Sequence, residues 1–534
     1  GIGARENVSL AKFDIKAAFT NASVGAEVFA STVQGCHRYD KNGAKQVVRI
    51  VKNLYGSPDA ARRWIDLAII QLLRMGFRRS LYDPCLLRIC LPNDVAKKEM
   101  AAWEADKDMD KRDEPPKLRY PYPREARSKG PEISHHPVGA ENLRQLLGTM
   151  PEEHEAACKA DEEEDFHHLR EDDLILNQAD NWAPDHSFGI LSLYVDDGLI
   201  ASNSKGFMRY LIRRILQRFP GTSEEDPTSF LGFVFGKKSG KLMLTQDQLI
   251  KTTLADCKMG SSNRSNDVPM TSFITPDKTE HSAEYQKAIE EEVNAFRTCG
   301  QIGWLKHTLP GLAFAHAQLT RGMSNFNIDH VKATRRFCRW LQGQYGRGMT
   351  YNPPEDKGLW IFADTGLDVS TFTGVTVHFA GAVIYSKCMR QKFKTLHTME
   401  SEMAGLNEAA KVAIRLQACA VDCGEPIGTV TIYGDNEAAV NQFQKGAPEC
   451  VSNKARHLRL RYHWTKQLVD LGLIRFAWIP TKSNIADLAT KPIPKDLWQE
   501  LYPQLMGTQP VIALAGHPTM TELYGPIPSP DTGG

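Results

Sequence analysis

The 534-residue sequence predicts a mixed α/β (α+β) chain of several domains, and three observations predict it. The apolar runs ILSL and GLIA flank Tyr194-Val195-Asp196-Asp197 and read as a β-hairpin. Residues 64–77 (WIDLAIIQLLRMGF) carry apolar side chains at helical spacing and stop near Gly76. Beyond residue 358, the strand-like runs LWIFAD, TVTIY and RFAWIP are interleaved with the helical run TMESEMAGLNEAAKVAI. A chain of this length can build more than one core.

In chain order, the first element is the short strand-like run around Leu10–Ile15, which carries one acid, Asp14. The aromatic Phe19 follows five residues later. Asp14 can cap a strand end or join the hairpin acids. Phe19 can fill a core or lie against the sugar of a nucleotide. Asp196 and Asp197 sit together at a hairpin tip, where like charges repel unless a cation lies beside them. A pair of divalent metals holding an attacking oxygen and a triphosphate is one reason to tolerate such a pair, and it needs an acid from a second strand. An ordinary Asp-Asp-Gly turn, with Gly198 supplying a positive φ, is the other reading.

Residues 91–187 interrupt this pattern. KRDEPPKLRYPYPREARSKGPE has too little apolar surface to offset the entropy of ordering, so the stretch reads as a charged, disordered insertion. A short helix over 141–150 is expected inside it. Its histidines, His135, His136, His154, His167 and His168, lack the spacing of a metal site. The sheet resumes at Gly189, and FMRYLIRRILQRF (207–219) predicts a basic amphipathic helix. Residues 285–345 read as largely helical. YNPPEDKG marks a boundary, and the Pro/Gly-rich end from about 496 reads as a loose tail.

Four separated acids of the last domain stand on or beside its predicted strands and helices. Asp364 closes a strand, Glu402 lies in the early turns of a helix, and Asp435 follows TVTIY. Asp487 sits in NIADLATKP, a short helix that Ser483 can cap and Pro492 ends. Glu400 competes with Glu402 and is better placed as a first-turn acid. In this order the four resemble the acids of RNase H, and the resemblance implies that strand, helix, strand end and short helix bring them to one pocket, where two Mg²⁺ ions roughly 4 Å apart would activate water and stabilise a departing oxygen. Each acid alone is equally an ordinary surface carboxylate.

The formal charge of +1 conceals unlike parts. Residues 152–173 are strongly acidic, whereas 332–347 and 454–466 (KARHLRLRYHWTK) are basic with aromatics interleaved. Such stretches suit phosphates and bases, or form solvated helix faces. The 11 cysteines show no zinc spacing and imply reduced thiols in an intracellular compartment. No apolar run reaches membrane-spanning length, so no membrane partner is expected.

Taken in order, these segments resemble the reverse transcriptase and RNase H of a copia-type LTR retrotransposon Pol polyprotein. FDIKAAF, LYGSPDAARRW (54–64), MGFRRSLYDPCLL (75–87), LYVDDGLIA (193–201), FLGFVF (230–235) and LTQDQLIKTTL (244–254) carry the resemblance, with residues 285–351 similar to the helical connection. It covers nearly the whole chain apart from 91–187 and the tail. The chain starts a dozen residues before Asp14, so it reads as N-terminally truncated within that family. The resemblance implies a palm-type reverse transcriptase with a helical thumb/connection, followed by an RNase H-like α/β domain. The implied division is partial fingers and palm (1–90), insertion (91–187), palm continuation with the YVDD hairpin (188–240), thumb/connection (241–355), RNase H-like domain (358–495) and tail (496–534).

It further implies two-metal sites at Asp14, Asp196 and Asp197 and at Asp364, Glu402, Asp435 and Asp487, with Mg²⁺ as the cofactor and Mn²⁺ as a substitute. Phe19, Tyr55 and Gly56 become nucleotide contacts. Arg62, Lys454, Arg456, His457, Arg459 and Arg461 become nucleic-acid contacts. The implied partners are an RNA template, a DNA primer, dNTPs, an RNA–DNA hybrid and other polyprotein products. The location is a cytoplasmic virus-like particle or the nucleus, which the sequence does not decide. Two alternatives stay open: a degenerate fragment that binds nucleic acid without synthesis, and a chain active as a nuclease alone.

Overall fold

A computed structural model describes residues 8–31, 47–80, 83–105, 185–239, 241–259, 265–274, 279, 281–323, 325–351, 359–366, 371–379, 381–391, 398–423, 427–445 and 456–511. The first unit contains β1 (Ser9–Ile15), α1 (Ala18–Asn21), β2 (Ser23–Ser31), β3 (Val47–Lys52), α2 (Ala60–Arg74), β4 (Arg78–Arg79), β5 (Leu86–Pro92), α3 (Asn93–Ala105), β6 (His186–Tyr194), β7 (Asp197–Ser202), α4 (Lys205–Arg218) and β8 (Gly221–Glu225). Six strands form one sheet in the order β4-β5-β6-β7-β1-β8, with β2 and β3 as a separate hairpin. Alternation in β1 buries Ala11, Phe13 and Ile15, while Asp14 faces solvent. Those side chains pack with Trp64, Ala68 and Leu72 of α2 and with Phe207, Met208 and Leu211 of α4. The basic helix expected over 207–219 is α4, started by Ser204, whose side chain accepts from the Phe207 amide.

The second unit combines a four-stranded sheet with helices. Strands β9 (Ser229–Phe230), β10 (Phe233–Lys238), β11 (Lys241–Thr245) and β12 (Met349–Tyr351) follow the order β12-β11-β10-β9. Between β11 and β12 run α5 (Asp247–Asp256), α6 (Ala283–Val293), α7 (Ala295–Leu305), α8 (Ala313–Arg321) and α9 (Ile328–Gln342). Helix α9 begins with a capping box, in which the Asn327 side chain accepts the His330 amide and the His330 ring faces the Asn327 amide.

The third unit holds β13 (Leu359–Gly366), β14 (Phe372–Phe379), β15 (Ala382–Arg390), α10 (Thr398–Asp422), β16 (Val430–Gly434), α11 (Glu437–Lys445), α12 (Arg456–Asp470), β17 (Ile474–Trp478) and α13 (Lys495–Leu505). Its sheet runs β15-β14-β13-β16-β17. The β15–β14 and β14–β13 pairs are antiparallel, and β13–β16 and β16–β17 are parallel. The parallel pairs require crossovers, which α10 supplies between β15 and β16 and α11 with α12 between β16 and β17. Ala409, Ala410 and Ala413 on α10 are fully buried, letting that helix lie close on the sheet.

Two expectations are corrected. Residues 93–105, expected within the charged insertion, form helix α3, which buries Ala96 and Trp103 against the first core. Residues 106–184, including the expected helix over 141–150 and all five histidines, lie outside the described residues. The expected tail from 496 opens instead with α13, whose Trp498, Leu501, Tyr502 and Leu505 are buried. Trp498 stands edge-on to Trp340 of α9 with ring centroids 5.9 Å apart, so one core joins the helical unit to the third sheet. Residues 512–534 lie outside the described residues.

Candidate active sites

The first group of acids is set by strand register. Asp14 on β1 is the direct antiparallel partner of Asp197 on β7, and the Ile15 amide donates to the Asp196 carbonyl at 2.9 Å. Tyr194 pairs with Asp197, leaving Val195 and Asp196 as a two-residue turn. The structure corrects the expected role of Gly198. The left-handed residue is Val195, with φ 58°, a position a β-branched side chain rarely takes. The Trp64 indole N–H donates to the Val195 carbonyl at 2.6 Å, tying that turn to α2. Gly198 is needed for space, because a Cβ there would lie 2.1 Å from Cζ of Phe13.

Burial pushes the Asp197 carboxyl up, Asp196 and Asp14 push it further, and Lys12 partly offsets them. Lys12 is itself paired with Glu224 at 2.9 Å. The residues expected to face a nucleotide meet one another: the Phe19 and Tyr55 rings lie 4.5 Å apart, and Gly56 turns the chain at φ 93° beside them. Arg62 lies exposed on α2, 3.9 Å from Asp66.

The second group is more deeply enclosed. Carboxylate oxygens of Asp364, Glu402 and Asp435 lie within 4.8 Å of one another, the one such group of three or more found among the described residues. Asp364 is 2% exposed and sits inside β13, two residues before the strand ends. Its partner on β14 is Gly374, where a Cβ would lie 2.5 Å from Cγ2 of Thr490. That absence of a side chain lets the 485–490 turn close over the strand. Glu402 comes from α10, whose first turn holds Glu400, and Asp435 follows β16. Asp487, also 2% exposed, lies on a 3₁₀ turn, Ile485–Ala489. Asn484, rather than the expected Ser483, caps this turn by accepting from the Ala486 amide, and it also donates to the Ala363 carbonyl at 3.0 Å.

Two neighbours were not singled out from sequence. The Thr490 hydroxyl donates to Asp364. Lys491 Nζ lies 3.4 Å from Asp364 Oδ2 and 2.9 Å from Asp487 Oδ1. The spacing of Lys491, four residues after Asp487, was a usable signal for this pair. Burial pushes Glu402 up to about 9, helped by Asp364 and Asp435. Burial and then Asp364 push Asp487 up to about 8, against the pull of Lys491. Asp435 rises for the same two reasons, burial and Asp364. Burial disfavours the Lys491 ammonium, but Asp364 and Asp487 outweigh it and hold it charged. Once Glu402 and Asp487 give up their protons, four oxygen-donor carboxylates against one ammonium are an excess of negative charge suited to a hard divalent cation.

The expected nucleic-acid contacts on α12 are only partly described. Lys454 lies outside the described residues, as do the side chains of Arg456, His457 and Arg459. Arg461 is half-buried, and its carbonyl accepts from the Asn407 side chain of α10 at 3.3 Å. The eight described cysteines are free of disulfides. No helix among the described residues is long and apolar enough to cross a membrane.

No protein-family model matches the chain. Among solved structures, it is similar to LC11-RNase H1 in complex with an RNA/DNA hybrid (17% identity, 24% of this chain and 88% of that one, TM-score 0.20). It is also similar to the N-terminal RNase H domain of a Mycobacterium tuberculosis protein (18% identity, 27% of this chain and 96% of that one, TM-score 0.21). Among curated proteins, it is 26% identical over 336 residues to the retrovirus-related Pol polyprotein from transposon TNT 1-94 of Nicotiana tabacum. It is 24% identical over 316 residues to the corresponding polyprotein from transposon RE2 of Arabidopsis thaliana. These matches cover 60% and 58% of this chain but only 24% and 21% of the relatives' lengths. The resemblance read from the ordered motifs thus has its counterpart in sequence identity: over about three fifths of its length, the chain is similar to the retrovirus-related Pol polyproteins of plant copia-type transposons.

Proposed function

We propose that the chain is the reverse transcriptase and RNase H portion of a copia-type Pol polyprotein. In this reading it extends a DNA primer on an RNA template with dNTPs and cleaves the RNA strand of the resulting hybrid. The observation that carries the reading is the convergence of the buried Asp364 and Glu402 with the half-buried Asp435, and Asp487 beside them. The register that sets Asp14 against Asp197 supports the polymerase half.

Asp364, Glu402, Asp435 and Asp487 would hold divalent ions at the nuclease site, and Asp14, Asp196 and Asp197 at the polymerase site. When bound, Mg²⁺, or Mn²⁺ in its place, supplies activation of the attacking oxygen and stabilisation of the leaving one. The protein's own part is to fix the oxygen donors before substrate arrives. Thr490 and Lys491 orient Asp364. Trp64 holds the turn that presents Asp196. The Phe19 and Tyr55 rings, tilted 42° to each other, would offer apolar surface to a nucleotide sugar or base.

The test uses the full chain with two labelled substrates, an RNA–DNA hybrid and a primed RNA template. Asp435→Asn is expected to reduce hybrid cleavage by about 10²–10³-fold. The Asp196→Ala/Asp197→Ala double variant is expected to stop extension and leave cleavage intact. Metal-independent binding with no product from either substrate sinks the reading in favour of a nucleic-acid-binding fragment. Nuclease activity alone is the second reading. It is favoured by the contrast between the tight carboxylate group of the third unit and the looser, strand-spaced acids of the first.

A further inference from the structure

Resting on the nuclease reading above, we infer that Lys491 is a resident cation that takes one of two cation positions at that site and sets how much metal the site needs. The acids divide into two overlapping sets. Asp364, Glu402 and Asp435 bring their oxygens together without Asp487. Asp487 turns its Oδ1 to the Lys491 ammonium at 2.9 Å, and the same ammonium reaches Asp364 Oδ2 at 3.4 Å. Asp364 therefore belongs to both sets, its carboxylate shared between the trio and Lys491. A divalent ion shared by Asp364 and Asp487 would have to occupy the space the ammonium fills.

Lys491 has solvent on one side to withdraw into. It is 32% exposed, whereas the two acids it bridges are each 2% exposed. Thr490 keeps Asp364 in place when the ammonium leaves, because its hydroxyl holds the same carboxylate oxygen. The first ion enters the trio, where Lys491 acts on Glu402 and Asp435 only from beyond ion-pair range. The second must displace an ammonium that repels it at ion-pair range. The site then holds one ion at low metal concentration and two only at high concentration, with Lys491 supplying the missing positive charge between those limits.

The experiment is a Mg²⁺ titration by calorimetry at pH 8.5 on the full chain carrying Asp14→Asn/Asp196→Asn/Asp197→Asn, so that ions at the first site do not contribute. In that background the expected curve has one tight and one weak site. Lys491→Met is expected to tighten the weak site at least about tenfold, and Lys491→Arg to leave it as it was. If Lys491→Met melts early, Lys491→Gln takes its place with the same expectation. Two Mg²⁺ ions of equal affinity in the Lys491 background overturn the inference, as does a folded Lys491→Met or Lys491→Gln variant whose weak site is unchanged or weaker. Hybrid cleavage separates this inference from the reading beneath it. A chain that binds metal as expected but cuts no hybrid refutes only the nuclease assignment. A chain that cuts hybrid with the same Mg²⁺ dependence in wild type and Lys491→Met refutes only the role of Lys491.

Discussion

Replacing Glu402 with glutamine is expected to stabilise the metal-free protein while removing hybrid cleavage. In the folded chain the Glu402 carboxyl titrates near 9, against an ordinary value of 4.5. Between those values the unfolded chain carries the carboxylate and the folded chain keeps the proton. The folded state therefore binds more protons, and stability falls as pH rises from about 4.5 towards 9. At pH 7.5 the window already crossed is about 3 units, or about 4 kcal/mol at 1.36 kcal/mol per unit. Water reaching the half-buried Asp435 screens part of this and leaves about 2 kcal/mol. Glutamine keeps the shape and can accept from Thr365, yet carries no charge to desolvate. For a unit of about 150 residues, 2 kcal/mol corresponds to a rise in Tm of about 4–8 °C. The assay is a thermal melt in EDTA at pH 5 and pH 7.5, repeated at pH 7.5 with Mg²⁺. The variant should match wild type at pH 5, exceed it at pH 7.5, and lose its advantage when Mg²⁺ binds the wild-type acids. A variant that melts at or below wild type at pH 7.5 in EDTA, or whose advantage is the same at pH 5, refutes the reasoning.

The same shifts predict that metal affinity rises with pH up to about 9, because Glu402 and Asp487 must lose protons to bind. Calorimetry in buffers of different ionisation enthalpy should report proton release on Mg²⁺ binding at pH 7, and none at pH 10. Gly198→Ala should cost about 1–3 kcal/mol in urea unfolding, since the added carbon meets the Phe13 ring and the strands must part. Trp64→Phe removes the indole donor from the Val195 carbonyl and should cost about 1 kcal/mol. Because that bond holds the turn at Asp196, primer extension should fall at least about fivefold while hybrid cleavage stays unchanged; equal losses in both would refute a local role.

What could be read from the sequence was whatever a short period or a motif encodes. The hairpin around Asp196 and Asp197 follows from the two apolar runs that flank it, and the crossovers of the third sheet from strand runs separated by helical ones. Asp364, Glu402 and Asp435 were legible through their order along the chain. Helix α3 was hidden because its apolar side chains, Ala96, Met100 and Trp103, are few and stand among lysines and acids that resemble a solvated insertion. Helix α13 was masked by the Pro/Gly-rich sequence around it, although Trp498, Leu501, Tyr502 and Leu505 keep helical spacing. The positive φ of Val195 had no local signal, since the sequence offers glycine at 198 as the obvious candidate. A tertiary bond from Trp64 and the bulk of Phe13 decide the turn, and neither is encoded nearby.

The two groups of acids differ in a way that bears on how each would be used. Asp14 is exposed and Asp196 lies in a turn, so water can solvate the first group without a bound ion. That arrangement suits a site whose cation arrives together with a charged, diffusing substrate such as a nucleotide triphosphate. Asp364 and Asp487 are almost wholly buried, and water cannot take the place of a counter-ion there. The fold meets that cost with protons on Glu402 and Asp487 and with the Lys491 ammonium, all of which divalent ions can displace. Under the proposed function, a buried site provisioned in this way can remain folded between encounters with a hybrid, whereas the exposed one would depend on its substrate to complete it. The contrast predicts that EDTA lowers the melting temperature of the third unit by several degrees relative to saturating Mg²⁺ and leaves the first unit nearly unchanged, as read by hydrogen exchange at α10 and at α2. Equal protection by Mg²⁺ at both helices would show that burial does not set the difference.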